Sequence, residues 1–400
     1  MSTITLRTAA ITAVVLAFAA GSSGAQVPRL DNDREPAEGS VTITLEPRWT
    51  IGDTEDGALL GTIERVLTAK DGRIWLMDSQ LSHVLECSPE GEVVRTLGRG
   101  GDGPGELTNP RDMVRFADGT LGLVKMFPGK IVLLASDGSP AGTIKPSVDD
   151  AATGGFLTLH RALQTGGTLL LGGSVMTMDP GTPVQTRTFF LSRFERDGSR
   201  IAELTRAVVS LDLRTGELHE SWQEFVWSRM DVASDGTVVV CIPRDALELS
   251  WFSSEGTLLR SATLPVESWK RNKRAHDRMF GILAKQADHV PGTEAVAAPT
   301  EPAVVDLFVR GNGEVWCLTA RSMWEAEEGT FACYDVFDDS GRYARRVRVI
   351  CDGDAVRDRL LISGDRAFLI TGYWDAVYQV QNSATDGAAS PMAVTCFRIR

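Results

Sequence analysis

Six times along the chain a run of apolar residues is broken by a short turn signal and followed at once by a second, more strongly apolar run. The breaks are Asp71-Gly72, Asp118-Gly119, Gly166-Gly167, Asp235-Gly236, Asn312-Gly313 and Gly364-Asp365. Each is a dipeptide that supplies the positive φ a tight hairpin requires. A second turn follows at Glu90-Gly91, Asp137-Gly138, Asp197-Gly198, Glu255-Gly256 and Ser340-Gly341, the sixth being blurred near Asn382. The steps from first to second glycine are 19, 19, 31, 20 and 28 residues, so the third and fifth units carry insertions.

The runs after the first turns, Ile74 to Met77, Leu121 to Val124, Leu169 to Leu171, Val238 to Cys241, Val315 to Leu318 and Ala367 to Ile370, are continuously apolar or nearly so. That is the pattern of strands buried on both faces. Four-stranded antiparallel units with two apolar faces must stack on one another, and radial stacking leaves few open edges. The expected fold is an all-β, six-bladed β-propeller over residues 41–400. Ring closure is expected to use both chain ends: Val41 to Leu45 or Arg48 to Ile51 pairing into the last blade, with Ala393 to Ile399 competing for that place. A helical insertion is expected at 267–300, between blades four and five. There Trp269, His276, Phe280, Leu283 and Ala287 recur at helical spacing, with Lys270, Arg271, Lys273, Arg274 and Arg278 elsewhere, a pattern that reads as an apolar stripe packed on the propeller top with a solvated basic side, or as a lid or partner helix.

The stretch Gly98-Arg99-Gly100-Gly101-Asp102-Gly103-Pro104-Gly105-Glu106-Leu107, then Asn109-Pro110 and a strand ending at Asp118-Gly119, resembles the blade linker of NHL-repeat six-bladed propellers of bacterial envelopes. Trp75 to Asp78 before Val84-Leu85 and Pro89-Glu90-Gly91 matches the same family's b-to-c segment. The likeness covers roughly residues 49 to 145, and Lys125 stands in blade two where the family carries a turn aspartate. The resemblance implies the fold and an envelope setting, and it leaves function open, because such propellers include binding proteins and several kinds of enzyme.

Residues 1–25 read as a secretory signal peptide, with Arg7, an apolar run from Ala9 to Ala20, and small residues Ser23 and Ala25 before the cleavage point. Export to the periplasm or exterior is the expectation, with 26–40 a flexible segment and no membrane-spanning run in the mature chain. The six cysteines are few and unpatterned. They read as buried free thiols, with a Cys317–Cys333 bridge as the alternative. With 41 Lys+Arg against 53 Asp+Glu, the net charge of −12 argues against nucleic acid as a partner. The expected partner is an envelope or extracellular ligand or protein, and the expected state a monomer.

Every insertion falls on the face that carries the b-to-c turns and blade links, which makes that upper face the binding candidate. Counting back seven residues from each first-turn glycine, or its equivalent, places a ring at the channel mouth: Arg65, Asp112, His160, Arg229, Asp306 and Asp358. All six are ionisable. Such a ring either pairs across blades around a wet channel or binds a polar ligand. A divalent cation is the one cofactor it could take, on Asp112, His160, Asp306 and Asp358. Trp222, Trp227, Trp324, Tyr373 and Trp374 form a second, aromatic set on the same face.

Gly98 to Gly103 fits GxGxxG, but Pro104, Gly105 and Pro110 stand where a phosphate-binding helix would begin. There is no Walker or GxSxG sequence, and His219-Glu220 lacks a second histidine. Asp53 to Gly57 reads as a solvated link rather than a calcium loop. The reading favoured is a binding or scaffold protein that recognises a ligand, glycan, peptide or protein, with no catalytic residue assigned. The alternative is a metal-assisted lyase or hydrolase at the channel mouth.

Overall fold

Each turn dipeptide closes an antiparallel hairpin. In blades one, two, four and five the turn glycine's N–H returns to a carbonyl three residues earlier, as from Gly72 to Ala69 at 2.9 Å and Gly236 to Ala233 at 2.9 Å. Blades three and six have tighter turns. Thr165 pairs directly with Thr168, and Ser363 with Arg366. The computed structural model describes residues 14–16, 27–52, 58–152, 154–178, 181–288, 292–381 and 392–399.

Blade one is Ile63–Thr68, Ile74–Asp78, His83–Cys87 and Val93–Leu97. Blade two is Asp112–Arg115, Leu121–Lys125, Lys130–Leu134 and Pro140–Ile144. Blade three has the longest strands, Phe156–Thr165, Thr168–Met178, Val184–Phe194 and Arg200–Asp212. Blade four is Met230–Val232, Val238–Cys241, Leu247–Phe252 and Leu258–Leu264, and blade five Val304–Val309, Val315–Thr319, Ala332–Phe337 and Tyr343–Ile350. Blade six takes Arg359–Ser363, Arg366–Thr371 and Ala393–Arg398 from the C-terminal end and Pro47–Ile51 from the N-terminal end.

The apolar second strands are buried as their sequence requires: every residue of Ile74–Asp78 and Val238–Cys241 is buried. They feed hydrophobic clusters that sit between neighbouring blades, for example Leu76 with Phe368 between blades one and six, and Val239 with Leu307 between four and five. Each large aliphatic side chain so buried contributes about 2 kcal/mol.

Arg48 to Ile51, not Val41 to Leu45, closes the ring, with Cys396 opposite Trp49 and Val394 opposite Ile51. Ala393–Arg398 occupies the adjacent place, so both ends share the blade. Ser40–Thr44 lies instead as a fifth, parallel strand on blade five. Residues 27–40, expected to be flexible, are partly tied down. Arg29–Asp31 adds a parallel strand to blade four, and the Asn32 side chain donates to the Thr263 and Gly341 carbonyls while accepting from the Tyr343 N–H. Unpaired outer strands attract this kind of augmentation.

The expected leader lies outside the described residues apart from Val14–Leu16, which pairs antiparallel with Arg206 to Val208 on the outer strand of blade three. Asp53 to Gly57 and Asn382 are also outside them. No helix among the described residues is long and apolar enough to cross a membrane. All six cysteines are free: Cys317 faces Asp335 and Cys333 faces Arg348, so the two thiols are out of register on adjacent strands.

The insertion forms a helix, Lys273–Ala287, capped by the Asn272 side chain accepting from the Ala275 N–H. Its buried positions are Ala275, Leu283 and Ala287. His276 and Phe280, expected on the packed stripe, stack on each other and stay exposed. Arg271, expected on a solvated basic side, is buried between the carboxylates of Glu220 and Glu301.

Candidate functional site at the upper channel mouth

Each inner strand contributes one charged side chain to the channel: Arg65, Asp112, Arg161, Asp231, Asp306 and Arg359. Asp112 is fully buried. It accepts from Arg65 Nε at 2.9 Å, Arg161 Nη1 at 3.1 Å, and the N–H groups of Met113 and Ala162. Arg359 lies 3.5 Å from Asp306. Asp231 accepts from the Val309 N–H at 2.8 Å. The charges of Arg65 and Arg161 act on Asp306 from other blades, which places these groups around one axis. Burial pushes the carboxyls of Asp231 and Asp306 above the usual carboxylate range.

Three of the six ring residues expected from the sequence, Arg65, Asp112 and Asp306, therefore occupy the channel. His160 and Asp358 miss by one residue because blades three and six close with two-residue turns. The channel residue there stands six, not seven, before Gly167 and Asp365. Arg229 misses because the inner strand of blade four is only Met230–Val232. At Arg229 the carbonyl still accepts from the Cys241 N–H, but its own N–H turns back to the Val226 carbonyl and its guanidinium to the Phe225 carbonyl and Glu224. Asp358 caps its own loop, accepting from the Asp354 and Gly372 N–H groups.

One residue above this ring is a second layer, of which sequence counting found His160 and overlooked Glu64 and Arg111. Glu64 accepts from the Tyr373 hydroxyl at 2.9 Å, and the same hydroxyl accepts from Arg359 at 3.1 Å. Arg111, about half exposed, lies 3.9 Å from Glu64. His160 stacks on Trp227 with ring centroids 4.2 Å apart and 22° between planes. Burial, with Arg111 and Arg187 adding to it, lowers the imidazole's pKa to about 3. A charged residue immediately before the channel position in blades one and two, Glu64 and Arg111, was the available signal.

The aromatic set divides. Trp222 is core, packed with Phe189, Val226 and Met230. Trp227 lines the mouth beside His160. Tyr373 is buried apart from its role between Glu64 and Arg359. Trp324 and Trp374 both lie against Arg278 of the insertion helix, at 4.7 and 4.5 Å from their ring centroids. Trp269 stacks on Trp324 with 4° between planes. A cavity of about 580 Å³ on blades one to three is lined by Leu67, Trp75, Met113 and Leu163 together with Lys70, Asp71 and Arg115.

Asp112, His160, Asp306 and Asp358 are not brought together: each has different partners, and no cluster of three or more His, Cys, Asp or Glu suited to a metal occurs among the described residues. The glycine-rich link Gly98 to Leu107 is filled by its own anion, since Glu106 accepts from the Gly103 N–H at 3.0 Å and pairs with Arg99. Asp78, the turn aspartate of blade one, accepts from the N–H groups of Gly61, Thr62 and Leu81. Lys125, its counterpart in blade two, lies 3.7 Å from Asp102 instead.

No protein-family model matches the chain, and no curated protein does. Among solved structures, a protein of Bacteroides fragilis described as exported is similar over 93% of this chain and 99% of its own, at 11% identity and a TM-score of 0.51. A gluconolactonase of Xanthomonas campestris aligns over 91% of this chain and 96% of its own, at 13% identity and a TM-score of 0.42. A luciferin-regenerating enzyme aligns over 88% and 95%, at 11% identity and a TM-score of 0.47. The first of these likenesses is one of fold.

Proposed function

We propose that the protein is an exported binding protein that takes its ligand on the upper face, at the mouth of the channel. The observation that supports this is the half-exposed Arg111, with Glu64 and Tyr373 on one side and the His160–Trp227 stack on the other. These groups stand one residue above the Arg65–Asp112–Arg161 and Arg359–Asp306 contacts of the channel, with Arg111 left half open to solvent. The scaffold below is rigid, and recognition there costs little ordering entropy. The b-to-c turn of blade two adds Met126 and Phe127, and Phe127 pairs with Phe156 while both rings stay exposed.

Glycan and peptide arrays probed with the intact protein, with Phe127→Glu, and with Val94→Glu on the outer strand of blade one test this reading. Capture by the wild type and Val94→Glu, but not by Phe127→Glu, is expected. Absence of capture, or capture that only the blade-one change abolishes, would overturn it.

A further inference from the structure

We infer that the part of the mouth over blade three is a subsite for an oxyanion, the carboxylate or phosphate group of a small acidic ligand, held by Arg111 and Arg187 beside His160. This deepens the binding reading and rests on it. The chain as a whole is acidic, yet four guanidinium groups here, those of Arg65, Arg111, Arg161 and Arg187, have only the carboxylates of Asp112 and Glu64 within ion-pair distance among the described residues. Arg187 has no carboxylate within ion-pair distance among the described residues. It donates to the Trp222 carbonyl and to Gln223 Oε1, both at 2.8 Å, and its buried Nε is left without a partner. Arg111 has only Glu64, at 3.9 Å, and that carboxylate is also engaged by the Tyr373 hydroxyl. Below them Arg161 and Arg65 share one carboxylate, Asp112, and the Nε of Arg161 is a second buried donor without a partner.

Contacts tie Arg187 and His160 into one place, and Arg111 joins them through its neighbour Asp112, whose carboxylate accepts at 2.8 Å from the Ala162 N–H on the same inner strand as His160. His160 stacks on Trp227, whose Nε1 donates to the Gln223 carbonyl at 3.2 Å, and Gln223 in turn holds Arg187. The Arg187 guanidinium also lies 5.1 Å from the centroid of the Trp222 ring, which fixes its plane. Buried cations without counter-charges are costly, and an oxyanion offsets that cost through charge-assisted, two-pronged hydrogen bonds to guanidinium. His160, kept neutral by burial with Arg111 and Arg187 adding to it, supplies an imidazole without adding charge.

The test is isothermal titration at low salt with three probes, inorganic phosphate, glucuronate and glucose, against the wild type and Arg111→Gln. Arg111 is exposed enough that its replacement leaves the fold intact, which a thermal melt checks. Binding of phosphate, of glucuronate or of both, weakened about tenfold or more by Arg111→Gln and absent for glucose, supports the assignment. Glucuronate alone identifies a carboxylate ligand and phosphate alone a phosphorylated one. Movement of the His160 ring resonances on titration is expected with whichever anion binds. Failure of both anions, or equal binding by the variant, overturns the assignment. If the arrays capture an uncharged ligand on the upper face and Arg111→Gln binds it normally, the oxyanion subsite fails while the binding reading stands.

Discussion

The Arg278 guanidinium lies 4.5 Å from the ring centroid of Trp374, joining the insertion helix to the helix Tyr373–Gln381 of blade six. The same guanidinium faces Trp324 of blade five at 4.7 Å and donates to the Val356 carbonyl. One side chain thus fastens an inserted helix to two blades.

Arg278→Ala is expected to loosen that helix without opening the propeller. Each cation–π contact is worth about 0.5–1 kcal/mol at a partly exposed site. Hydrogen exchange should accelerate across 273–287 while amides in the second strands of the blades stay protected. Unchanged exchange in the helix would show that Ala275, Leu283 and Ala287 hold it alone.

Asp112 is the only carboxylate within ion-pair distance of Arg161 among the described residues, and it is the closest partner of Arg65. Asp112→Asn keeps the shape and removes the charge, leaving two largely buried guanidinium groups opposed by an amide. Loss of one member of a buried ion pair costs about 3–5 kcal/mol. Urea unfolding should show a midpoint lowered accordingly, and Asp358→Asn, which touches only loop amides, should cost less. Equal losses would contradict the pairing across the channel.

His160 has a pKa lowered from 6.5 to about 3 by burial, reinforced by Arg111 and Arg187. As pH falls below 6.5 the unfolded chain takes up a proton that the folded chain refuses, so this residue's contribution to stability declines toward pH 3. The slope is about 1.4 kcal/mol per pH unit at its steepest. His160→Phe retains a ring on Trp227 and removes the proton site. Its unfolding free energy, compared with that of the wild type at pH 6.5 and 4.5, should depend less on pH by about 2 kcal/mol. Parallel pH dependences would show that the imidazole is protonated in the fold.

The blades were legible because a hairpin writes its turn into two adjacent residues, and strands buried on both faces write themselves as continuous apolar runs. The ring was half legible. Counting from a glycine carries a register only while the turn length is constant, and Gly166-Gly167 and Gly364-Asp365 shorten it. Arg229 was lost for a different reason: its position lies before a strand of three residues, and nothing in the sequence marks where that ladder begins. The burial of Trp222 and Arg271 depends on segments distant in sequence, Phe189 for the one and Glu220 and Glu301 for the other, which local pattern does not pair.

Ring closure rests on Trp49, which lies opposite Cys396, packs over the blade-one turn and donates to the Pro89 carbonyl at 3.1 Å. Gly91 in that turn has φ 92°, and a Cβ there would stand 2.5 Å from the Trp49 ring. Gly91→Ala therefore strains the backbone and displaces the indole, whereas Gly166→Ala strains a turn with open space around it. Both changes should lower the melting temperature, but only Gly91→Ala should also increase exchange in Pro47–Ile51 and Ala393–Arg398, because it parts the strands contributed by the two chain ends. A chain beginning at residue 52 should lose cooperative unfolding altogether, since blade six is then three strands with the Ala393–Arg398 edge unpaired and blades four and five lose their added strands as well. Cooperative unfolding of that truncated chain would mean that the other five blades hold the ring without its closing strand.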